Sequence, residues 1–163
     1  QGLSIFACDA YTVFSDDVVW LTPGPPVRID SEALGMDLEA PEGVKEHILN
    51  TEIFLQAWEN VRKEGRYKQY EWVVKVDPDA VFFPDRLRKR LDSEVQEGGS
   101  VLYFLNCQVS FGLFGALEVF SRKAMEAFYA GLPRCKSEVS WKDVGEDLFM
   151  RQCMDHLGVD HAK

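Results

Sequence analysis

Apolar residues occur along the chain in short runs that are separated by segments with helical spacing. The run W-V-V-K-V-D at residues 72–77 is rich in β-branched side chains, which is typical of a central strand covered on both faces. Similar runs predict strands at residues 101–105 and 113–120, and one strand or two short ones at residues 3–14.

Between these runs, apolar positions recur every three to four residues and predict helices. Asn50 or Thr51 caps a helix that runs to about Glu64, because Gly65 is a favourable residue at a helix end. Pro84 suits the first position of the next helix, since its missing N–H is not needed there.

Two further helices are predicted in the C-terminal part of the chain. The first runs through Tyr129 and stops there, because Gly131 and Pro133 follow. The second covers residues 146–157. Strands that alternate with helices in this way predict one α/β domain over residues 1–163, with a largely parallel sheet.

The segment 15–44 differs in composition from the rest of the chain, with a proline-rich break at residues 22–26 and an acidic stretch at residues 30–43. It is predicted to be a long loop that contains two short strands, at residues 18–21 and 27–29. Loops of this length in compact domains are commonly lids, binding loops or disordered segments.

Composition narrows the class of protein and the kind of partner. A chain of 163 residues with 46% hydrophobic and 28% charged residues is typical of a soluble globular domain. No run of about 18 apolar residues occurs, so no membrane-spanning helix is predicted. The net charge of −9 argues against nucleic acid and anionic membrane surfaces as partners. Because Gln1 begins the chain without methionine, any targeting segment is expected upstream.

The four cysteines, Cys8, Cys107, Cys135 and Cys153, show no C-x-x-C spacing, so a zinc site is not expected. Their even number allows two disulfides in any of three pairings if the compartment is oxidising. Buried free thiols are the alternative.

Two carboxylates, Asp77 and Asp79, follow the strand at residues 72–77 and are separated by Pro78. Proline has no N–H to donate and fixes its own φ, so the strand ends here and both acids lie in a stiff turn. Ligands bind at this end of the strands in open α/β sheets, and oxygen ligands suit Mg²⁺ or Mn²⁺. Asp-Pro-Asp is also ordinary turn chemistry, in which the acids bond nearby backbone N–H groups.

Three segments, in order, resemble nucleotide-sugar glycosyltransferases of the GT-A fold, of the Fringe and β-1,3-galactosyltransferase type. Residues 72–87 resemble the strand, the Asp-x-Asp motif and the helix after it. Residues 115–128 resemble the acceptor-side strand and helix, and residues 145–159 resemble the Glu-Asp helix. The resemblance spans about residues 4–159, extends to sequences from algae, and implies an open, mixed, Rossmann-like sheet flanked by helices.

The resemblance implies roles for four acidic residues. Asp77 and Asp79 match the residues that hold Mn²⁺ (or Mg²⁺) against a nucleotide-sugar diphosphate. Asp147 matches the catalytic base that takes the acceptor's hydroxyl proton, and Glu146 flanks it. Acids in the first turn of a helix also stabilise its dipole, which is the alternative role for this pair.

Other candidates are supported by position. Asp9 is a candidate for lining the nucleotide pocket, or for capping a turn. Lys75 lies two residues before Asp77 on the same strand face, where it either binds phosphate or forms a structural ion pair. Trp141 either stacks on a sugar or packs in the core.

Two departures from the family pattern qualify the resemblance. The chain begins after the family's first strand, so we expect a partner chain or missing sequence to cover a sheet edge near residues 4–13. The family also supplies a third metal ligand, often histidine, beyond the Glu-Asp helix. His161 lies in about that position along the sequence.

The resemblance therefore supports a metal-dependent, inverting glycosyltransferase domain that transfers a sugar from a nucleotide donor, a UDP-sugar, to a glycan or protein acceptor. The alternative is a non-catalytic, GT-A-derived subunit of a larger assembly, such as a membrane complex of an alga. A general α/β binding domain is the third interpretation. If the domain is a glycosyltransferase, its expected location is the secretory lumen. If it is the non-catalytic subunit, its expected location is an organelle complex.

Overall fold

A computed structural model of the chain describes residues 3–15, 17–19, 21, 32–33, 50–92, 99–108 and 112–163. The strand predicted at residues 27–29 and most of the predicted loop 15–44 lie outside the described residues. No strand forms at the described positions Val18, Val19 and Leu21.

The domain belongs to the α/β class that the sequence predicts. Within the described residues, the helices are α1 (Thr51–Glu64), α2 (Pro84–Leu91), α3 (Arg122–Glu138) and α4 (Glu146–His156). The strands are β1 (Phe14–Ser15), β2 (Glu32–Ala33), β3 (Trp72–Val76), β4 (Leu102–Phe104), β5 (Leu117–Ser121) and β6 (Asp160–Ala162). None of the described helices is both long enough and apolar enough to cross a membrane.

The main sheet is mixed, in the order β3-β5-β4-β6. β5 is antiparallel to both of its neighbours, and only the β4–β6 pair is parallel. The prediction of a largely parallel sheet is therefore wrong. The connection from β4 to β5 is tied by the N–H groups of Asn106 and Cys107, which both donate to the Gly112 carbonyl. These bonds turn the connection back on itself, and β5 returns antiparallel to β4.

β3 is an edge strand of the described sheet, not the central strand that its sequence predicts. Apolar clusters do lie on both of its faces. Val73 packs against the larger core, and Trp72 and Val74 pack against the smaller one around Leu91 and Phe104. Every β3 residue nevertheless remains half-buried. A β-branched run therefore predicted the strand and its two-sided packing but not its place in the sheet.

The N-terminal segment is not the strand predicted at residues 3–14. Ser4–Ala7 forms a 3₁₀ turn, and only Phe14–Ser15 pairs, in parallel with β2. Arg88 of α2 donates to the Ala7 carbonyl and so holds the turn against that helix. The sheet edge expected at residues 4–13 is therefore not formed by those residues, since the edge strands of the described main sheet are β3 and β6.

The larger core joins α1, α3 and α4 to one face of the sheet. Leu55 and Trp58 of α1 are buried in it, and the Trp58 ring meets the Phe120 ring of β5 edge to face, with centroids 5.8 Å apart. Gly65 ends α1 in the left-handed conformation, with φ of 74°. The predicted first helix and its C-terminal glycine are confirmed.

α3 continues past Gly131 and Pro133 to Glu138, so its predicted end at Tyr129 is wrong. Tertiary contacts explain the difference. A Cβ atom on Gly131 would lie 2.3 Å from Leu157 Cδ2, so glycine allows the end of α4 to approach α3 closely. Cys135 in the extended part forms a disulfide with Cys153 of α4, while Cys8 and Cys107 are free.

Candidate functional site

The Asp-Pro-Asp turn lies directly at the carboxyl end of β3, as the sequence predicts. The Asp77 N–H donates to the Ala116 carbonyl at 3.1 Å, and the Ala80 N–H donates to the Asp77 carbonyl at 3.0 Å. These two bonds hold the Asp77 backbone in place. Asp79 is exposed, and it forms no hydrogen bond or ion pair with another described residue.

Lys75 of β3 lies among several charged and polar groups near this turn. Its Nζ is 2.7 Å from Asp77 Oδ1 and 2.9 Å from Glu146 Oε1, and it donates to the Gly115 carbonyl at 2.6 Å. The ammonium also lies 4.2 Å from the centroid of the Phe54 ring. Of the two roles considered for Lys75, the structural ion pair with Asp77 is the one present in this structure.

The start of α4 is positioned by the start of α1. The Glu146 N–H donates to Asn50 Oδ1 at 3.2 Å, and the Thr51 hydroxyl donates to the Val144 carbonyl at 2.6 Å. Asn50 was predicted as a cap of α1, but its side chain makes no capping bond to that helix and instead caps α4. Glu146 is buried as a result and turned toward Lys75.

Asp147 contacts the peptide on the other side of Gly115. Its Oδ2 accepts from the Gly115 N–H at 3.2 Å, and its Oδ1 accepts from the Leu148 N–H at 2.7 Å. The Gly115 N–H therefore meets Asp147, while the Gly115 carbonyl meets Lys75 and, through it, Asp77. Two carboxylates that are 70 positions apart in the sequence are thus linked through one residue, Asp147 directly and Asp77 through Lys75.

Glycine is required at position 115 because there is no room for a side chain. An added Cβ would lie 2.4 Å from Glu146 Oε1 and 3.3 Å from Lys75 Nζ. The groups that approach Gly115 are the charged side chains of two elements, β3 and α4.

Glu118 is a member of this site that the sequence analysis missed. It lies directly opposite Lys75 in the β3–β5 register, is fully buried, and has no hydrogen-bond partner for either carboxyl oxygen. Burial raises the pKa of Glu118 to about 8, although the charge of Lys75 acts in the opposite direction. A single acid in the otherwise apolar run L-E-V-F was the signal that could have identified it.

We refer to Lys75, Asp77, Gly115, Glu118, Glu146 and Asp147 as the Lys75 cluster. Burial alone lowers the pKa of Lys75, but the surrounding carboxylates, led by Glu118 and Glu146, raise it above its ordinary value. The amine is therefore firmly protonated. The cluster holds one cation among four acidic side chains, at the end of the sheet where the sequence predicted a ligand site.

Asp9 lies elsewhere. Its carboxylate is exposed and pairs with Arg88 of α2 at 3.2 Å, and Arg88 also binds Asp85. No described contact connects Asp9 to the Lys75 cluster, so the structure does not bring it together with the other candidate residues.

The metal expectation concerns Asp77 and Asp79. Among the described residues, no group of three or more His, Cys, Asp or Glu side chains is arranged to hold a metal ion. His161 lies in β6, at the opposite edge of the sheet from β3, where its ring faces Tyr103. It is therefore not positioned as a third ligand beside Asp77.

A cavity of about 340 Å³ lies beside the start of α1 and is bordered by Thr51, Glu52, Trp141 and Lys142. Trp141 is half-buried, and the ammonium groups of Lys136 and Lys142 lie 4.8 Å and 5.4 Å from its ring centroid. Because two cations already contact the ring, it is engaged by neighbouring side chains of its own domain.

Comparison with known proteins adds no relatives: no protein-family model matches the chain, and no curated protein sequence matches it significantly.

Proposed function

We propose that this domain is a metal-dependent, inverting glycosyltransferase domain of the GT-A type, which binds a nucleotide-sugar, a UDP-sugar, at the carboxyl end of β3. The observation that carries the proposal is that Asp147 accepts from the Gly115 N–H, while Lys75, which pairs with Asp77, donates to the Gly115 carbonyl. The motif resemblance assigns Asp77 to binding of the donor and Asp147 to the role of general base in the same reaction. Such a reaction requires both at one cleft.

Asp147 is suited to act as the general base. It is half-buried, so that it is reachable from solvent while its orientation is constrained by the Gly115 and Leu148 N–H groups. A carboxylate held in this way can accept the proton of an acceptor hydroxyl as that oxygen attacks the anomeric carbon. Glu146 does not compete for this role, because it is buried and paired with Lys75.

Asp77 and Asp79 fit a divalent ion as two of its ligands. Lys75 contacts Oδ1 of Asp77, no described contact involves Oδ2, and the carboxylate of Asp79 is exposed. Carboxylate oxygens are preferred ligands of Mn²⁺ and Mg²⁺, which commonly complete their coordination with substrate phosphates. When bound, the ion would neutralise the charge that develops on the departing diphosphate. Lys75 contributes here by orienting Asp77.

A second candidate is the non-catalytic, GT-A-derived subunit. The observation that favours it is that Lys75 already neutralises Asp77 and Glu146 without any ligand. A cluster that is electrostatically satisfied in this way also serves to join β3, β5 and α4. This alternative predicts that the domain binds no nucleotide and that removal of Asp79 has no functional effect.

The two candidates are separated by nucleotide binding to the full-length protein. Calorimetry with UDP, with and without MnCl₂, is expected to show binding that requires the metal and that Asp79→Asn abolishes. Asp85→Asn is the matched control, because it makes the same change at an exposed position on α2. Absence of metal-dependent UDP binding in the unmodified protein would refute the enzyme and leave the subunit as the remaining candidate.

A further inference from the structure

An exposed aromatic ring lies immediately beside the Lys75 cluster. Phe114 precedes Gly115, and 54% of its surface is exposed, whereas Leu113 before it is fully buried. The ring makes no ring–ring or cation–ring contact with another described residue. A large apolar side chain that is left in water beside a group of carboxylates loses the stabilisation that burial would provide.

The backbone of Phe114 is held on both sides. Asn106 Oδ1 accepts from the Phe114 N–H at 2.7 Å, and Asn106 Nδ2 donates to the Phe114 carbonyl at 2.7 Å. The next N–H, of Gly115, is the one bound by Asp147. The peptide groups around Phe114 are therefore fixed with respect to the candidate base while its ring remains free to meet a ligand.

Phe83 and Trp141 also have exposed or half-buried rings near the ends of elements, but cationic side chains contact both of these rings. Phe83 is 53% exposed, but the Arg86 guanidinium lies 4.6 Å from its centroid. Trp141 is flanked by two lysines. Phe114 is distinguished by an uncovered ring, a bidentate backbone clamp, and a direct peptide connection to the residue that binds Asp147.

We propose that Phe114 is the platform on which a pyranose ring of the acceptor stacks. One face of a pyranose ring presents C–H groups, which pack on the electron-rich face of an aromatic ring, while its hydroxyls project around the edge. A sugar that lies on Phe114 would be close to Asp147, which binds the N–H of the next residue, Gly115. This inference deepens the proposed function and depends on it for the role of Asp147.

The test uses the full-length protein with UDP and MnCl₂ present. Saturation-transfer NMR measures binding of three probes: the methyl β-pyranosides of galactose, glucose and N-acetylglucosamine. At least one is expected to bind, and Phe114→Ala is expected to weaken its binding about tenfold, the size of one good aromatic contact. Phe114→Tyr keeps the ring and should bind normally. Phe83→Ala is the control, because it removes a ring of the same exposure.

UDP binding is measured on the same variants and separates this inference from the proposed function. Retained UDP binding together with lost glycoside binding in Phe114→Ala supports the platform. Equal glycoside binding by Phe114→Ala and the unmodified protein, or no binding of any probe to the unmodified protein, overturns it. Failure to bind UDP would refute the proposed function, while loss of glycoside binding in Phe114→Ala would still identify the sugar platform.

Discussion

Lys75 of β3 and Glu118 of β5 face each other across an antiparallel strand pair, with the Glu118 carboxyl fully buried and without a hydrogen-bond partner. The ammonium of Lys75 is turned toward Asp77 and Glu146. Opposite charges at a cross-strand position ordinarily stabilise a sheet. Here Lys75 pairs with Asp77 and Glu146, and the raised pKa of Glu118 keeps that carboxyl group protonated at neutral pH.

This arrangement predicts a pH dependence of stability. The pKa of Glu118 is raised to about 8 in the folded protein, so the folded state holds a proton that the unfolded chain releases at lower pH. The contribution of this protonated carboxyl to the free energy of unfolding is present in full below the pKa of Glu118 in the unfolded chain, and it is lost as pH rises toward about 8. Between about pH 5 and about pH 8, we expect the free energy of unfolding of the unmodified protein to fall by on the order of a few kcal/mol relative to that of Glu118→Gln.

The measurement is urea unfolding of both proteins across that range with the disulfide intact. The carboxylates of Asp77, Glu146 and Asp147 raise the pKa of Glu118 further, after burial, and are the same in both proteins. Parallel pH profiles for the two proteins would mean that Glu118 titrates normally.

The disulfide between Cys135 and Cys153 is expected to stabilise the packing of α3 on α4. The bridge closes a loop with a sequence separation of 18, for which the loss of unfolded-state entropy is worth about 3 kcal/mol. Cys153→Ser should lower the free energy of unfolding by about that amount in denaturant titrations. Cys107→Ser is the control, since Cys107 is a free thiol. Finding four titratable thiols in the native, unreduced protein would contradict the bridge.

Asn50 is expected to hold the start of α4. Asn50→Ala removes the acceptor of the Glu146 N–H and should cost about 1 kcal/mol, as loss of a helix cap does. Hydrogen exchange at the amide of Glu146 should accelerate. Asn60→Ala is a matched control within α1, because the Asn60 side chain contacts Gln56 of the same helix. Unchanged exchange at Glu146 in Asn50→Ala would show that the cap is not formed.

Asp147→Asn tests the proposed base directly. In a full-length enzyme the change should lower the transfer rate by about 10²–10⁴-fold, because the amide cannot accept the acceptor's proton. Metal-dependent UDP binding should persist, since Asp77 and Asp79 are intact. Asp143→Asn, an exposed acid in the loop before α4, is the control. Equal transfer rates for Asp147→Asn and the unmodified enzyme would remove Asp147 from the reaction.

Local signals predicted much of the secondary structure. The apolar spacing and terminal residues predicted α1, with Gly65 at its end, and α2, with Pro84 at its start. β3 and its Asp-Pro-Asp turn were also found where expected. These features depend on the φ preferences of glycine and proline and on hydrophobic periodicity, which a short segment carries by itself.

Tertiary contacts decided the rest. The extension of α3 through Pro133, the parallel pairing of β6 with β4, and the edge position of β3 all depend on partners that are distant in sequence. The sequence by itself determined the positions of α1, α2 and α4 and of β3, β4 and β5, and that two acids follow β3, but neither the 3₁₀ turn at Ser4–Ala7 nor β6. Only the tertiary structure decided that Glu118 lies opposite Lys75 without a hydrogen-bond partner and that Asp147 accepts from the Gly115 N–H, because register and close approach are set by the packing of whole elements.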